Sequence, residues 1–258
     1  MLLALDVGNT HTVVGLFEQK ELKGTWRVST HPLCTADEFK FKLEMMLLTA
    51  GIHLDKIPTL VVSSVVPAFT RMLQAAFPPQ KLHIIDCKWP FSFAIKPYPP
   101  EQVGADRLVN AETVVREYGF PSIVIDSGTA TTICAIAKNS EGQPEYLGGA
   151  ILAGIELSMQ ALAKNAAQLF TIELTPPQKS IGKNTQEALK SGIMLGYASM
   201  IDGMILRFRE ELGNGPVTVV ATGGISHLMK GLAKELTHFD SDLTLKGIAY
   251  LYDAISKK

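Results

Sequence analysis

The stretch LALDVGNTHTVVGLF (3–17) reads as a strand that reaches an aspartate, turns on a glycine and returns as a second strand. The stretch IVIDSGTATTICAIA (123–137) repeats it. With Asp6 laid on Asp126, Gly8 falls on Gly128 and Thr12 on Thr132, and apolar residues match on both flanks. An offset of 120 residues is too long for a solenoid repeat. It predicts a duplicated domain in which each half gives one hairpin. In a chain of 258 residues that leaves two modest halves, divided as 1–118 and 119–258.

The turn's residue types limit what it can hold. A carboxylate at a strand end sits on the rim of a sheet, where ligands bind. Glycine lets the backbone turn and approach a ligand closely. Asn9, Thr10 and Thr12 offer short donors, and successive backbone N–H groups can cradle an anion. An aspartate beside a bare phosphate repels it, so a cation belongs between them: Mg²⁺ carried by a nucleotide, or a monovalent ion. Two such turns facing each other would grip nucleotide phosphates from both sides. Asp and Gly are also ordinary hairpin formers; it is the second copy, with a third glycine turn in VVATGGIS, that favours a ligand site.

Other function classes find little support. The formal net charge is −1 with no basic run, which speaks against nucleic-acid binding by bulk electrostatics. No apolar run reaches the ~20 residues that span a bilayer, and MLLALDVG has neither the basic start nor the cleavage site of a signal peptide. A cytoplasmic protein is expected. Cys34, Cys87 and Cys134 are widely spaced, without metal-ligand spacing, and read as free thiols. SIGKNT has Gly-Lys but not the spacing of a phosphate-binding P-loop, and no GxGxxG follows a strand.

Along the chain, GTWRVST reads as a third strand and TADEFKFKLEMMLLTAG as a helix capped by Thr35 with Glu38 in a capping box. TLVVSSVVP is a buried strand. The proline- and aromatic-rich KWPFSFAIKPYPPEQ is a loop leading into the helix VGADRLVNAETVVREYG. The second half repeats hairpin, strand and helices. Its long helix carries a stripe of Leu189, Ile193, Tyr197, Met200, Met204 and Phe208.

Asp106 follows a glycine at a helix start. It suits the acceptor for a hydroxyl proton in phosphoryl transfer, with the helix dipole and Arg107 keeping it ionised; it suits a helix cap equally. Arg107 reads as the charge that keeps Asp106 ionised or, instead, as a surface ion-pair partner. Thr185 reads as an N-cap.

Two phosphate hairpins followed by a glycine-rich turn resemble the actin-like ATPase superfamily of sugar kinases, acetate kinase, Hsp70 and actin. Within it, DVGNTHTV (6–13), VGADRLVNA (103–111), IDSGTATT (125–132), GGAILAGI (148–155), GKNT (182–185) and TGG (222–224) look like type III pantothenate kinase, over essentially the whole chain. The combination at these spacings is specific where any one motif is not.

The resemblance implies an α/β fold of two ribonuclease H-like halves, mixed sheets flanked by helices, in a homodimer. It implies ATP-dependent phosphorylation of pantothenate, the first step of coenzyme A synthesis. Asp6, Val7, Gly8, Asn9, Thr10, His11, Thr12 and Val13 would hold the ATP phosphates, with Asp6 reaching Mg²⁺ through water, and Thr129 would also contact ATP. Asp126 would bind a monovalent cation, K⁺ or NH₄⁺. Gly104, Ala105, Asp106 and Arg107 would line the pantothenate site, with Asp106 as the base, and Thr185 would contact pantothenate. The family often has a substrate-contacting tyrosine where this chain has Pro97; Tyr98 is displaced by one. The alternatives are a kinase of another small alcohol and a non-catalytic accessory or regulatory homologue, although a relative of the latter kind should have lost Asp6, Asp106 or Asp126.

Overall fold

Strand β1 (Leu2–Val7) is apolar on both sides, and both sides are covered. Successive side chains alternate across a strand. Leu3, Leu5 and Val7 therefore join one cluster, with Phe39, Leu43, Leu47, Phe69 and Leu73. Leu2 and Ala4 join another, with Val61, Val109, Leu245, Ile248 and Leu251. Asp6 continues the second row, at the edge where that core ends. The computed structural model in which this is seen describes residues 1–213 and 215–256.

In chain order the strands and helices are β1, β2 (His11–Glu18), β3 (Glu21–Ser29), α1 (Ala36–Leu48), β4 (Thr59–Ser64), α2 (Pro67–Ala76), β5 (Leu82–Ile84), β6 (Ala94–Ile95), α3 (Ala105–Glu117), β7 (Ser122–Ser127), β8 (Ala130–Lys138), β9 (Pro144–Ala153), α4 (Ile155–Asn165), α5 (Thr185–Leu212), β10 (Thr218–Thr222), β11 (His238–Phe239) and α6 (Leu243–Ser256). They group into two units, Met1–Thr113 with Asp242–Lys258, and Val114–Ser241.

The first unit's sheet has the order β3-β2-β1-β4-β5, antiparallel from β3 to β1 and parallel from β1 to β5. The second unit repeats it as β9-β8-β7-β10-β11, with the same change of sense at β7. This is the ribonuclease H-like arrangement, built twice. Ile123 and Ile125 of β7 face the α5 side, with Met194, Tyr197, Ala198, Ile201 and Ile205.

Local signals explain the flanking helices. Thr35 caps α1 in the expected capping box: its hydroxyl accepts the Glu38 N–H, and Glu38 accepts the Thr35 N–H at 2.7 Å. Helix α2 begins on Pro67, whose missing donor costs nothing at a helix start. On α5 the deepest residues are Met194, Ala198, Ile201 and Ile205, while Met200, Met204 and Phe208 are only partly buried. The buried stripe is thus rotated from the one read in the sequence, because β7 and β8 take one side of the helix and leave Met200 and Met204 on its shoulder.

A linear division at 118/119 groups α6 with the second half, whereas its packing groups it with β1. Thr113 donates its hydroxyl to the Leu243 carbonyl at 2.7 Å, and Thr244 donates to Asn110 Oδ1 at 2.7 Å, so α6 is stitched to the first part of α3. The backbones come close there. A Cβ on Gly247 would strike the Val109 carbonyl and lie 2.7 Å from Thr113 Oγ1. Alanine usually gains about 1 kcal/mol over glycine in a helix, but overpacking a tight contact costs about 1–3 kcal/mol. Gly247→Ala is therefore expected to lower the urea midpoint rather than raise it.

Candidate active site

The first turn closes with the Gly8 N–H donating to the His11 carbonyl at 3.1 Å. Asn9, Thr10 and His11 are exposed at its tip, while Asp6 and Val13 are partly buried and Val7 and Thr12 are buried at its base. Thr30, just past β3, braces the turn. Its N–H donates to Thr10 O at 2.9 Å, its hydroxyl donates to Gly8 O at 2.7 Å, and that hydroxyl lies 3.0 Å from Thr12 Oγ1.

The second turn is one residue shorter. Gly128 N–H donates to the Ala130 carbonyl at 3.1 Å, where Gly8 reaches to His11. In register, Val7 faces Thr12 and Ser127 faces Thr131. The structural counterpart of Thr12 is therefore Thr131, not Thr132. Both are fully buried.

Two glycine segments lean on this second turn. The Gly154 N–H donates to Thr129 O at 3.0 Å, and a Cβ there would run into the Gly128 and Thr129 carbonyls. Gly223, after β10, sits at φ +92°, in the left-handed region that favours glycine. A Cβ on it would lie 2.6 Å from Asp126 Oδ1 and also strike the Ser127 backbone. Asp126 thus stands at the meeting point of β7 and the glycine turn, and Thr129 is exposed at the tip beside it.

Asp106 stands in the first turn of α3, partly buried. Its Oδ1 accepts the Arg107 backbone N–H at 2.8 Å. Burial pushes its carboxyl above the usual aspartate range; the Arg107 backbone bond and guanidinium charge pull it down but are outweighed. Burial thus opposes the Arg107 charge that the sequence reading expects to favour the ionised form, because desolvation acts on the whole charge. A Cβ on Gly104 would press on this carboxylate and lie 3.4 Å from Val65 Cγ1. Val65 in turn donates its N–H to Val7 O at 3.1 Å. Within the first unit, Val65 thus lies beside both the start of α3 and the end of β1.

Thr185 is the first residue of α5 and is exposed. The cap is Asn184, whose side chain accepts the Glu187 N–H at 2.9 Å, so Thr185 is free of the capping role read for it. It lines an apolar cavity of about 420 Å³ with Leu162, Leu169, Leu189 and Ile193. Among the described residues, no group of three or more His, Cys, Asp or Glu side chains is arranged to hold a metal ion. A cation at Asp6 or Asp126 would draw its other oxygens from backbone carbonyls, hydroxyls, phosphates or water rather than from further carboxylates. No helix among the described residues is long and apolar enough to cross a membrane.

The family model for type III pantothenate kinase matches residues 2–207. This chain belongs to the type III pantothenate kinase family. It is 40% identical to a type III pantothenate kinase of Rubrobacter xylanophilus, over 98% of this chain and 97% of that protein. It is 38% identical to one of Thermomicrobium roseum, over 100% and 98%. Among solved structures, a protein described as a Baf family transcriptional activator from Campylobacter jejuni superimposes with a TM-score of 0.65 at 17% identity, covering 99% of this chain and 100% of that one. At that identity the likeness is one of fold alone.

The family's motifs are brought together in two groups. DVGNT and GADR meet in the first unit, and D-x-GTATT, GGAILAGI and TGG meet in the second. GKNT lies apart from the second turn, folded over the start of α5. Thr30, Ser127, Gly154 and Tyr197 were not singled out from the sequence as site residues, since what marks them is contact across space. Gly154 offers the plainest check. Its φ of −66° suits alanine, so only the contact with the turn opposes a side chain. Gly154→Ala is expected to weaken nucleotide binding at least tenfold in calorimetry, with the circular dichroism spectrum unchanged.

Proposed function

We propose that this protein transfers the γ-phosphoryl group of ATP to the primary hydroxyl of pantothenate, giving ADP and 4'-phosphopantothenate, the first step of coenzyme A biosynthesis. The observation that carries the reading is Asp106, set on a helix start behind Gly104 with Val65 close by at the end of the aspartate strand, in a chain of this family. Phosphoryl transfer needs a positioned hydroxyl, neutralised phosphates and an acceptor for the hydroxyl proton.

In this reading Asp106 accepts that proton. Its raised pKa makes the ionised form a stronger base than an ordinary aspartate. Gly104, Ala105 and Arg107 line the pantothenate site beside it, and Thr185 reaches pantothenate from the start of α5. Residues 6–13 and Thr129 hold the phosphates of ATP. Asp6 orients Mg²⁺ through water, and Asp126 takes a monovalent cation, K⁺ or NH₄⁺. Bound metal would spread the charge that develops on the phosphoryl oxygens. A homodimer is part of the proposal. The apolar cavity at the start of α5, with Leu157 and Leu162 exposed on α4, suits a second copy of the chain. So is a cytoplasmic site of action, where this substrate and ATP are met.

The first experiment is ATP consumption with pantothenate, in potassium and then sodium buffer. Potassium-favoured, pantothenate-dependent turnover is expected; folded protein with no turnover in either buffer would overturn the assignment. Asp106→Asn should lower kcat by roughly 10²–10⁴-fold. Because the folded state raises this pKa, the ionised carboxylate costs stability at neutral pH. The asparagine variant should therefore melt no lower than wild type at pH 7. Below its pKa Asp106 is protonated and cannot act as base, so kcat/KM should fall on the acid side with a midpoint above the ordinary ~3.9 of aspartate. Arg107→Gln removes a charge that lowers this pKa, so it should move that midpoint to higher pH.

A further inference from the structure

The two phosphate turns are braced at the same place by different parts of the molecule. In the first, the buried hydroxyl of Thr12 meets Thr30, which comes from the end of the neighbouring strand and also holds the Gly8 carbonyl. In the second, the buried hydroxyl of Thr131 meets the phenol of Tyr197, from the middle of α5. The same phenol is hydrogen-bonded to Ser127. Ser127 and Thr131 face each other as the last rung before the tip. One hydroxyl therefore ties both strands of the hairpin at the point where it opens toward Asp126, Gly128 and Thr129.

We propose that Tyr197 is a positioning residue for the second phosphate turn, fixing through its hydroxyl the geometry in which that turn holds ATP and its monovalent cation. This rests on the ATP reading given above. A tyrosine placed only to fill the core would need no hydroxyl, and a phenylalanine would pack as well. Here the ring is buried, and its one polar atom is directed to the hairpin. The helix that carries it is itself pinned within the second unit. Asp202 accepts the N–H groups of Lys234 and Glu235, each at 2.9 Å, and Arg209 pairs with Glu235. Strand β8 and helix α5 thus share one rigid attachment, where β2 and β3 share the corresponding one in the first unit.

The tether acts by position and not by charge. Burial pushes the Tyr197 phenol above the usual tyrosine range, and the Asp126 carboxylate pushes it the same way, so it stays protonated through the working pH range. Thr131 and Ser127 hydrogen-bond to it and favour the phenolate, but do not outweigh burial.

The test is Tyr197→Phe, which keeps the ring and removes the hydroxyl, with Thr131→Val removing the other partner and Thr131→Ser keeping it. ATP and pantothenate KM, kcat, the potassium half-saturation and melting temperature are measured for each, and Mg·ADP binding is followed by calorimetry. Tyr197→Phe should raise ATP KM and weaken Mg·ADP binding about tenfold, raise the potassium half-saturation, and leave pantothenate KM within twofold. Thr131→Val should shift the same quantities in the same direction by a smaller factor, since the Ser127 contact survives, Thr131→Ser should stay near wild type, and the double variant Tyr197→Phe/Thr131→Val should be no worse than Tyr197→Phe alone, which already removes the bond to Thr131. A lower melting temperature with nucleotide binding and potassium response unchanged in both single variants would overturn the tether and leave the kinase reading standing. Wild-type protein that binds no nucleotide would overturn both; wild-type protein that binds nucleotide without phosphorylating pantothenate would overturn the substrate assignment alone, with the tether still decided by the calorimetry.

Discussion

Two strands buried on both faces place almost everything polar that matters here. β1 and β7 each run through the middle of a sheet with apolar residues on either side, so a carboxylate can be accommodated only where the strand leaves the core. Asp6 and Asp126 are at that point. The parallel neighbours β4 and β10 end level with them, and the antiparallel neighbours β2 and β8 return from the turn. The change from antiparallel to parallel pairing at one strand opens a rim in each sheet, where the aspartate and the glycine turn sit, with the start of α3 near the first and the start of α4 against the second.

Much of this was written in local sequence. The strand–aspartate–glycine repeat, the capping box at Thr35 and Glu38, and the apolar run of β4 depend on residues close in the chain, and each folds as its pattern says. The duplication carried the fold further than any single element could. What the pattern did not carry was the length of the second turn. A gapless alignment places Thr12 on Thr132, and only the hydrogen bond from Gly128 to Ala130 shows that one residue is missing from the loop and that Thr131 takes the place of Thr12.

The candidate site was legible in residue type and less so in energetics. Asp106, Gly104 and Arg107 lie where the motif puts them, yet burial, not the arginine, sets the direction of the carboxyl's pKa. Burial is a sum over distant parts of the chain and leaves no trace in four consecutive letters. Thr185 and Asn184 show the same limit at shorter range. Either can cap a helix, and Asn184 does so because its side chain also donates to Glu187 Oε1 at 2.9 Å, an exchange that a hydroxyl from Thr185, one step inside the helix, is not placed to make. Tyr197 was visible as part of an apolar stripe, where its ring and not its hydroxyl decided the reading.

Helix α6 follows the whole of the second unit in the chain, yet its Leu245, Ile248 and Leu251 close the face of the first sheet that holds Leu2, Ala4 and Val61. During synthesis, the strands of the first unit therefore leave the ribosome with that apolar face only partly covered, by Val109 and its neighbours, and wait while more than a hundred further residues are made. The second unit has all its segments available earlier, because they are contiguous. The order of completion is thus the reverse of the order of emergence. In that interval the incompletely covered row on β1 and β4 is open to capture by a chaperone or to association with another copy.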